Sequence, residues 1–94
     1  MDWDDLRYIR ALGRAGTLAG AAEQLGVHHS TVFRRLGRIE NELAVRLFER
    51  YREGFSLTAA GEEVVATADR LGVEVDELER RLAGRDTRPS GTVR

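Results

Sequence analysis

The sequence predicts a mainly helical fold, a winged helix-turn-helix body followed by a long dimerisation helix, and three observations predict it. Two helical segments between Leu18 and Gly37 are separated by a tight turn at Gly26-Val27-His28. Two short strand-like runs then flank Tyr51-Arg52-Glu53-Gly54. From Thr58 onward an unbroken helical pattern with a heptad period reaches about Ala83. This divides the chain into a winged helix-turn-helix domain over 1–58 (helix-turn-helix about 18–37), a linker or dimerisation helix over 59–83, and a tail over 84–94.

Each element has its own local reason. From Asp4 to about Arg14, Leu6, Ile9 and Leu12 recur at helical spacing with Tyr8 and Ala11 beside them, and Asp2, Asp4 and Asp5 sit at the positive end of the helix dipole. Gly16 breaks this helix, and Thr17 is a good N-cap for the next. In that second helix Leu18, Ala21, Ala22 and Leu25 share one face, and Gly26 closes it in the left-handed conformation that glycine takes easily. The third helix runs from near Ser30 to about Leu43 with an inward stripe of Val32, Leu36, Ile39 and Leu43, and its opposite face is arginine.

The runs Arg46–Arg50 and Phe55–Thr58 read as the two strands of a small hairpin, the wing. Thr58 then caps the last helix, in which Val64, Ala68, Leu71, Val75, Leu78 and Leu82 form the a/d seam of a heptad repeat. Such a helix is roughly 37 Å long at 1.5 Å per residue. A body of about sixty residues cannot cover that length, so part of the seam is expected to pack against a second copy, the alternative being that it covers only its own domain. The tail, with Pro89, Ser90 and Gly91, reads as a flexible hinge or a truncated end.

Composition at first argues against a nucleic-acid partner, because 15 basic and 16 acidic residues in a chain of 94 leave a net charge of −1. Every basic residue, however, is arginine, whose planar fork suits phosphates and guanine edges. Charge is also unevenly placed. Residues 27–58 carry six arginines against four acids, whereas 59–85 carry four against seven. Between Val27 and Ile39 lie Arg34, Arg35, Arg38 and both histidines, with no acid. The absence of cysteine excludes disulfides, thiolate metal sites and cysteine nucleophiles. The acidic Met1-Asp2-Trp3-Asp4-Asp5 start and the short apolar runs point to a soluble, cytoplasmic chain without a membrane span.

The candidate DNA-binding residues are His28, His29, Ser30, Thr31, Phe33, Arg34, Arg35 and Arg38 on and before the third helix, with Arg50 and Arg52 on the wing. Phosphate contacts from arginine supply most of the affinity for duplex DNA, and short polar side chains at the start of an inserted helix read base edges. Ser30 and Thr31 can bond to several bases, Phe33 can touch a thymine methyl or else belong to the core, and Arg34 is the best candidate for a strong base or phosphate contact. Arg50 and Arg52 can reach backbone or minor groove. His28 doubles as an imperfect helix cap. No catalytic role is expected: Ser30 beside His29 lacks a third orienting group, and no glycine-rich phosphate loop follows a strand. No metal is expected either, since adjacent histidines without further ligands make no coordination shell, and no cofactor is expected.

Four stretches in order carry a resemblance: Gly16–Leu25 (GTLAGAAEQL), Arg38–Leu43 (RIENEL), Val45–Arg50 (VRLFER) and Leu57–Gly61 (LTAAG). Over Leu6 to about Leu82 the chain resembles the N-terminal winged helix-turn-helix domain and linker helix of the LysR-type bacterial transcription regulators. The resemblance implies binding of interrupted inverted repeats in promoters by dimers whose linker helices pair. It also implies a following effector-binding domain, so the chain is expected to be a DNA-binding fragment without an inducer pocket of its own. The family most often has Ser-Gln followed by Pro or Ser where His28-His29-Ser30 stand here, serine at Phe33, and glycine at Ala44. The recognised DNA sequence therefore does not transfer from relatives. Two other readings are a protein-interaction module that dimerises through the long helix without binding DNA, and a winged-helix regulator of the molybdate-responsive type.

Overall fold

The computed structural model describes residues 1–86. The first helix, α1 (Trp3–Ala15), begins one residue before its apolar spacing predicts because Asp2 and Asp5 form a reciprocal capping box. The Asp5 amide donates to Asp2 Oδ1 at 2.9 Å, and the Asp2 amide donates to Asp5 Oδ2 at 3.3 Å. Gly16 ends α1 in the left-handed region at φ 76°. Thr17 then caps α2 (Leu18–Leu25), its Oγ1 accepting from the Gly20 amide at 3.0 Å, and Gly26 closes it at φ 71°.

The third helix, α3 (His29–Leu43), starts under the cap of His28. Val32, Leu36 and Ile39 are buried as their spacing predicts, but Leu43 is not part of the inward stripe: it is 38% exposed. Residues 41–46 are all exposed, so the last turn of α3 lies at the edge of the packed body and Leu43 is only partly covered. The helix ends at Ala44 in the left-handed region, φ 56°, where an L side chain is strained. Replacing Ala44 by glycine is expected to stabilise the domain by about 1 kcal/mol, raising the melting temperature by roughly 4–8 °C in a thermal scan.

The wing consists of β1 (Phe48–Tyr51) and β2 (Gly54–Leu57), antiparallel, with Phe48 opposite Leu57 and Tyr51 opposite Gly54. The first strand starts two residues later than the sequence predicts, because the Leu47 and Phe48 amides donate to the Glu40 carboxylate, at 2.8 and 3.3 Å, and so hang from α3. The second strand ends at Leu57: the Thr58 amide still donates to the Leu47 carbonyl, but the Leu47 amide is taken by Glu40 and does not return the bond. Gly54 lies against the α1–α2 turn: the Phe55 amide donates to the Gly16 carbonyl at 2.8 Å, and a Cβ at position 54 would overlap that oxygen.

Thr58 caps α4 (Ala59–Asp86), accepting from the Gly61 amide at 3.0 Å while its hydroxyl donates to the Arg46 carbonyl at 2.8 Å. The helix continues three residues past Ala83, so Gly84, Arg85 and Asp86 are helical where a linker was expected. A single glycine costs a helix only about 1 kcal/mol relative to alanine, which neighbouring turns can carry. The rest of the expected tail, 87–94, lies outside the described residues.

The core gathers Ile9, Leu12, Ala21, Val32, Leu36, Ile39, Leu47 and Phe48, with α4 laid across α1. Along α4 the seam divides in two. Ala68 is fully buried and Val64 packs against the core of its own body. Arg14 pins the next turn by donating to Asp69 at 2.9 Å. Beyond that point Leu71, Val75, Leu78 and Leu82 are 37–46% exposed, on a helix that helps stretch the molecule to 57 Å.

Candidate nucleic-acid interface

The helix-turn-helix presents the first turn of α3 to solvent. Its turn closes when the Gly26 and Val27 amides both donate to the Ala22 carbonyl, at 2.8 and 3.1 Å. His28 then caps α3 through Nδ1, which accepts from the Ser30 amide at 3.2 Å and lies 2.9 Å from Ser30 Oγ. The His28 and His29 rings stack with centroids 4.4 Å apart. His28, His29, Ser30, Phe33 and Arg34 are exposed and Thr31 is half-buried. Arg34 Nη2 reaches back to Thr31 Oγ1 at 3.4 Å. Thr31, Arg34, Arg35 and Arg38 line one shallow, open groove along the helix.

The arginines of this face differ sharply in their partners. Arg35 donates to Asp4 Oδ2 at 3.0 Å and to Asp5 Oδ1 at 3.1 Å, and its guanidinium lies 4.3 Å from the Tyr8 ring centroid. Arg38 donates to Asp5 Oδ1 at 2.6 Å and to Glu42 at 2.8 Å. Asp5 is buried, and burial alone would push its carboxyl up; the hydrogen bond from the Asp2 amide and those from Arg35 and Arg38 overcome this and hold it below the ordinary aspartate value. Burial works against the charge on Arg35, but Asp4 and Asp5 raise its pKa on balance. Glu42 and then Asp5 do the same for Arg38. Two of the three α3 arginines expected to face DNA, Arg35 and Arg38, are thus bound to carboxylates of α1.

Asp5 and Glu40 are the residues that sequence reading missed. Asp2-x-x-Asp5 is a capping-box spacing, and Arg35 and Arg38 sit three apart on one helix face, but nothing in the sequence says that these two features meet.

The wing completes the surface. Phe48 anchors it from below, edge-on to Phe55 at 6.2 Å. Arg50, opposite Phe55 in the register, places its guanidinium 4.8 Å from the Phe33 ring centroid and 5.8 Å from that of Phe55. Phe33 therefore is not core; at 42% exposed it joins α3 to the wing. Arg52 stands exposed in the two-residue turn between the strands. Among the described residues no group of three or more His, Cys, Asp or Glu side chains is arranged to hold a metal ion, and no helix is long and apolar enough to cross a membrane.

Comparison with known proteins agrees with this arrangement. Residues 3–62 match the model of the "Bacterial regulatory helix-turn-helix protein, lysR family". The whole chain is 32% identical to the HTH-type transcriptional regulator CzcR of Bacillus cereus and 34% identical to the HTH-type transcriptional regulator YofA of Bacillus subtilis. It spans about a third of the length of each, 32% and 33%. Among solved structures, the DNA-binding domain of CbnR in complex with DNA superposes with a TM-score of 0.77 at 34% identity, over 90% of this chain and 99% of that one. The family match, the similarity of this whole chain to part of known regulators and the shared architecture agree: the chain belongs to the lysR family of bacterial regulatory helix-turn-helix proteins.

Proposed function

We propose that this chain is the DNA-binding part of a dimeric, cytoplasmic transcription regulator and has no enzymatic role. It binds an interrupted inverted repeat in promoter DNA, with the start of α3 in the major groove and the wing on adjacent backbone or minor groove. One observation carries this reading: Arg50 of the wing rests on Phe33 of α3, so the exposed first turn of α3 and the arginine-bearing hairpin form one continuous surface. Similarity to CbnR, whose DNA-binding domain has been seen on DNA, supports it. The seam from Leu71 to Leu82 supports pairing of two copies, which gives a symmetric reader for a symmetric site. Leu71, Val75, Leu78 and Leu82 carry the pairing in this proposal; Val64 and Ala68 position the helix on its own body.

Selection of bound duplexes from a random library tests the proposal directly. Enrichment of a two-fold symmetric, interrupted motif is expected; recovery of no motif would count against it. Arg34→Ala is expected to weaken binding about tenfold or more and to flatten the salt dependence by about one unit of slope per protomer if the contact is to phosphate. A base contact would instead relax sequence preference at one position of each half-site.

A further inference from the structure

The acidic start of α1 lies beside the arginine face of α3, and the pairing between them is selective. Asp5 has a side chain only 2% exposed and binds both Arg35 and Arg38 through one oxygen, Oδ1. Asp4 adds a second carboxylate to Arg35, and Glu42 a second to Arg38. Arg34, which lines the same groove, is bonded to a hydroxyl among the described residues. We propose that Asp5, assisted by Asp4 and Glu42, is a specificity-determining element that withholds Arg35 and Arg38 from DNA phosphates. The inference rests on the DNA-binding reading above.

The physics is a competition between two partners for the same guanidinium groups. Each phosphate neutralised by an arginine adds sequence-independent affinity and about 0.9 to the slope of log K against log salt. Releasing Arg35 and Arg38 to phosphates would strand the Asp5 carboxylate as an uncompensated buried charge, a costly state. Arg35 would also leave the Tyr8 ring. The pair therefore stays on α1, the non-specific attraction of the helix falls, and Arg34 with the first turn of α3 is left to discriminate between sites. In this way a face rich in arginine binds wrong sequences weakly.

The test compares the selected operator with a scrambled duplex of equal length by fluorescence anisotropy between 50 and 300 mM salt. Asp5→Asn keeps an acceptor oxygen for the α1 cap but removes the charge. The expected result is several-fold tighter binding to the scrambled duplex, a slope steeper by up to about two units per protomer, and a smaller ratio of operator to scrambled affinity. Adding Arg35→Gln and Arg38→Gln should cancel that gain, whereas the same two changes beside native Asp5 should alter the slope little, a coupling that loss of charge alone does not produce. Where Asp5→Asn fails to fold, Asp4→Asn with Glu42→Gln makes the same test at exposed carboxylates and should steepen the slope to a smaller degree. An unchanged slope in the folded variants overturns the inference, as does a large loss of slope from Arg35→Gln and Arg38→Gln beside native Asp5 in protein whose thermal melt remains cooperative. Failure of the native protein to bind either duplex overturns the DNA-binding reading itself, and this inference with it.

Discussion

Leu71→Asp combined with Leu78→Asp is expected to turn a dimer into a monomer and to lower affinity for a two-half-site operator by about 10²–10⁴-fold. Both leucines lie on the part of α4 that its own body does not cover, 38% and 46% exposed, while Ala68 one turn earlier is fully buried. Leu71, Val75, Leu78 and Leu82 continue the heptad spacing past the body, so their apolar surface is available to a second helix. A carboxylate in that seam would be desolvated without a partner and would disfavour pairing. Two joined domains bind the second half-site at high effective concentration, and a monomer forfeits that advantage. Sedimentation at tens of micromolar reads the first effect and operator titration the second. A dimer that survives both substitutions would mean that another surface makes the pair.

The second large effect concerns stability. Asp5→Ala is expected to cost about 2–3 kcal/mol, below the 3–5 of a fully buried pair because Arg38 is about half exposed and screened by solvent. The substitution removes half of the α1 capping box and leaves the largely buried Arg35 short of a carboxylate. For a domain of this size the melting temperature should fall by roughly 10–20 °C. A pH dependence goes with it. The carboxyl of Asp5 titrates lower in the folded protein than in the unfolded chain, so its contribution is present above the unfolded carboxylate range, about pH 4, and is lost as pH falls through the lower folded value. Thermal melts from pH 6 downward should therefore show the native protein losing stability below about pH 4 and Asp5→Ala losing less over the same interval. Equal acid sensitivity in both would show that Asp5 is not the linked group.

Much of this architecture is legible in local chemistry. Thr17, Gly16, Gly26 and Thr58 act as caps and stops because each needs only its own neighbours along the chain to do so. Val32, Leu36 and Ile39 are inward because helical periodicity alone puts them on one face. What local pattern could not show is where distant segments meet. Arg35 and Arg38 read as a free basic face, although their carboxylate partner is thirty or more positions away. The start of β1 depended on Glu40 of α3, which takes the Leu47 amide that would otherwise extend the pairing with β2. Leu43 satisfied the stripe yet lies at the edge of the body, and the division of the α4 seam between Ala68 and Leu71 follows from how far α1 reaches along it.

With a net charge of −1, the chain is proposed to attract DNA through a local basic surface built from α3 and the wing. Titrating the native protein into a labelled operator duplex at several salt concentrations tests that most directly. The expected result is that log K falls linearly with log salt, with a slope of several units that Arg34→Ala and Arg50→Ala each reduce. Affinity that does not change with salt, or no binding at low salt, would contradict it.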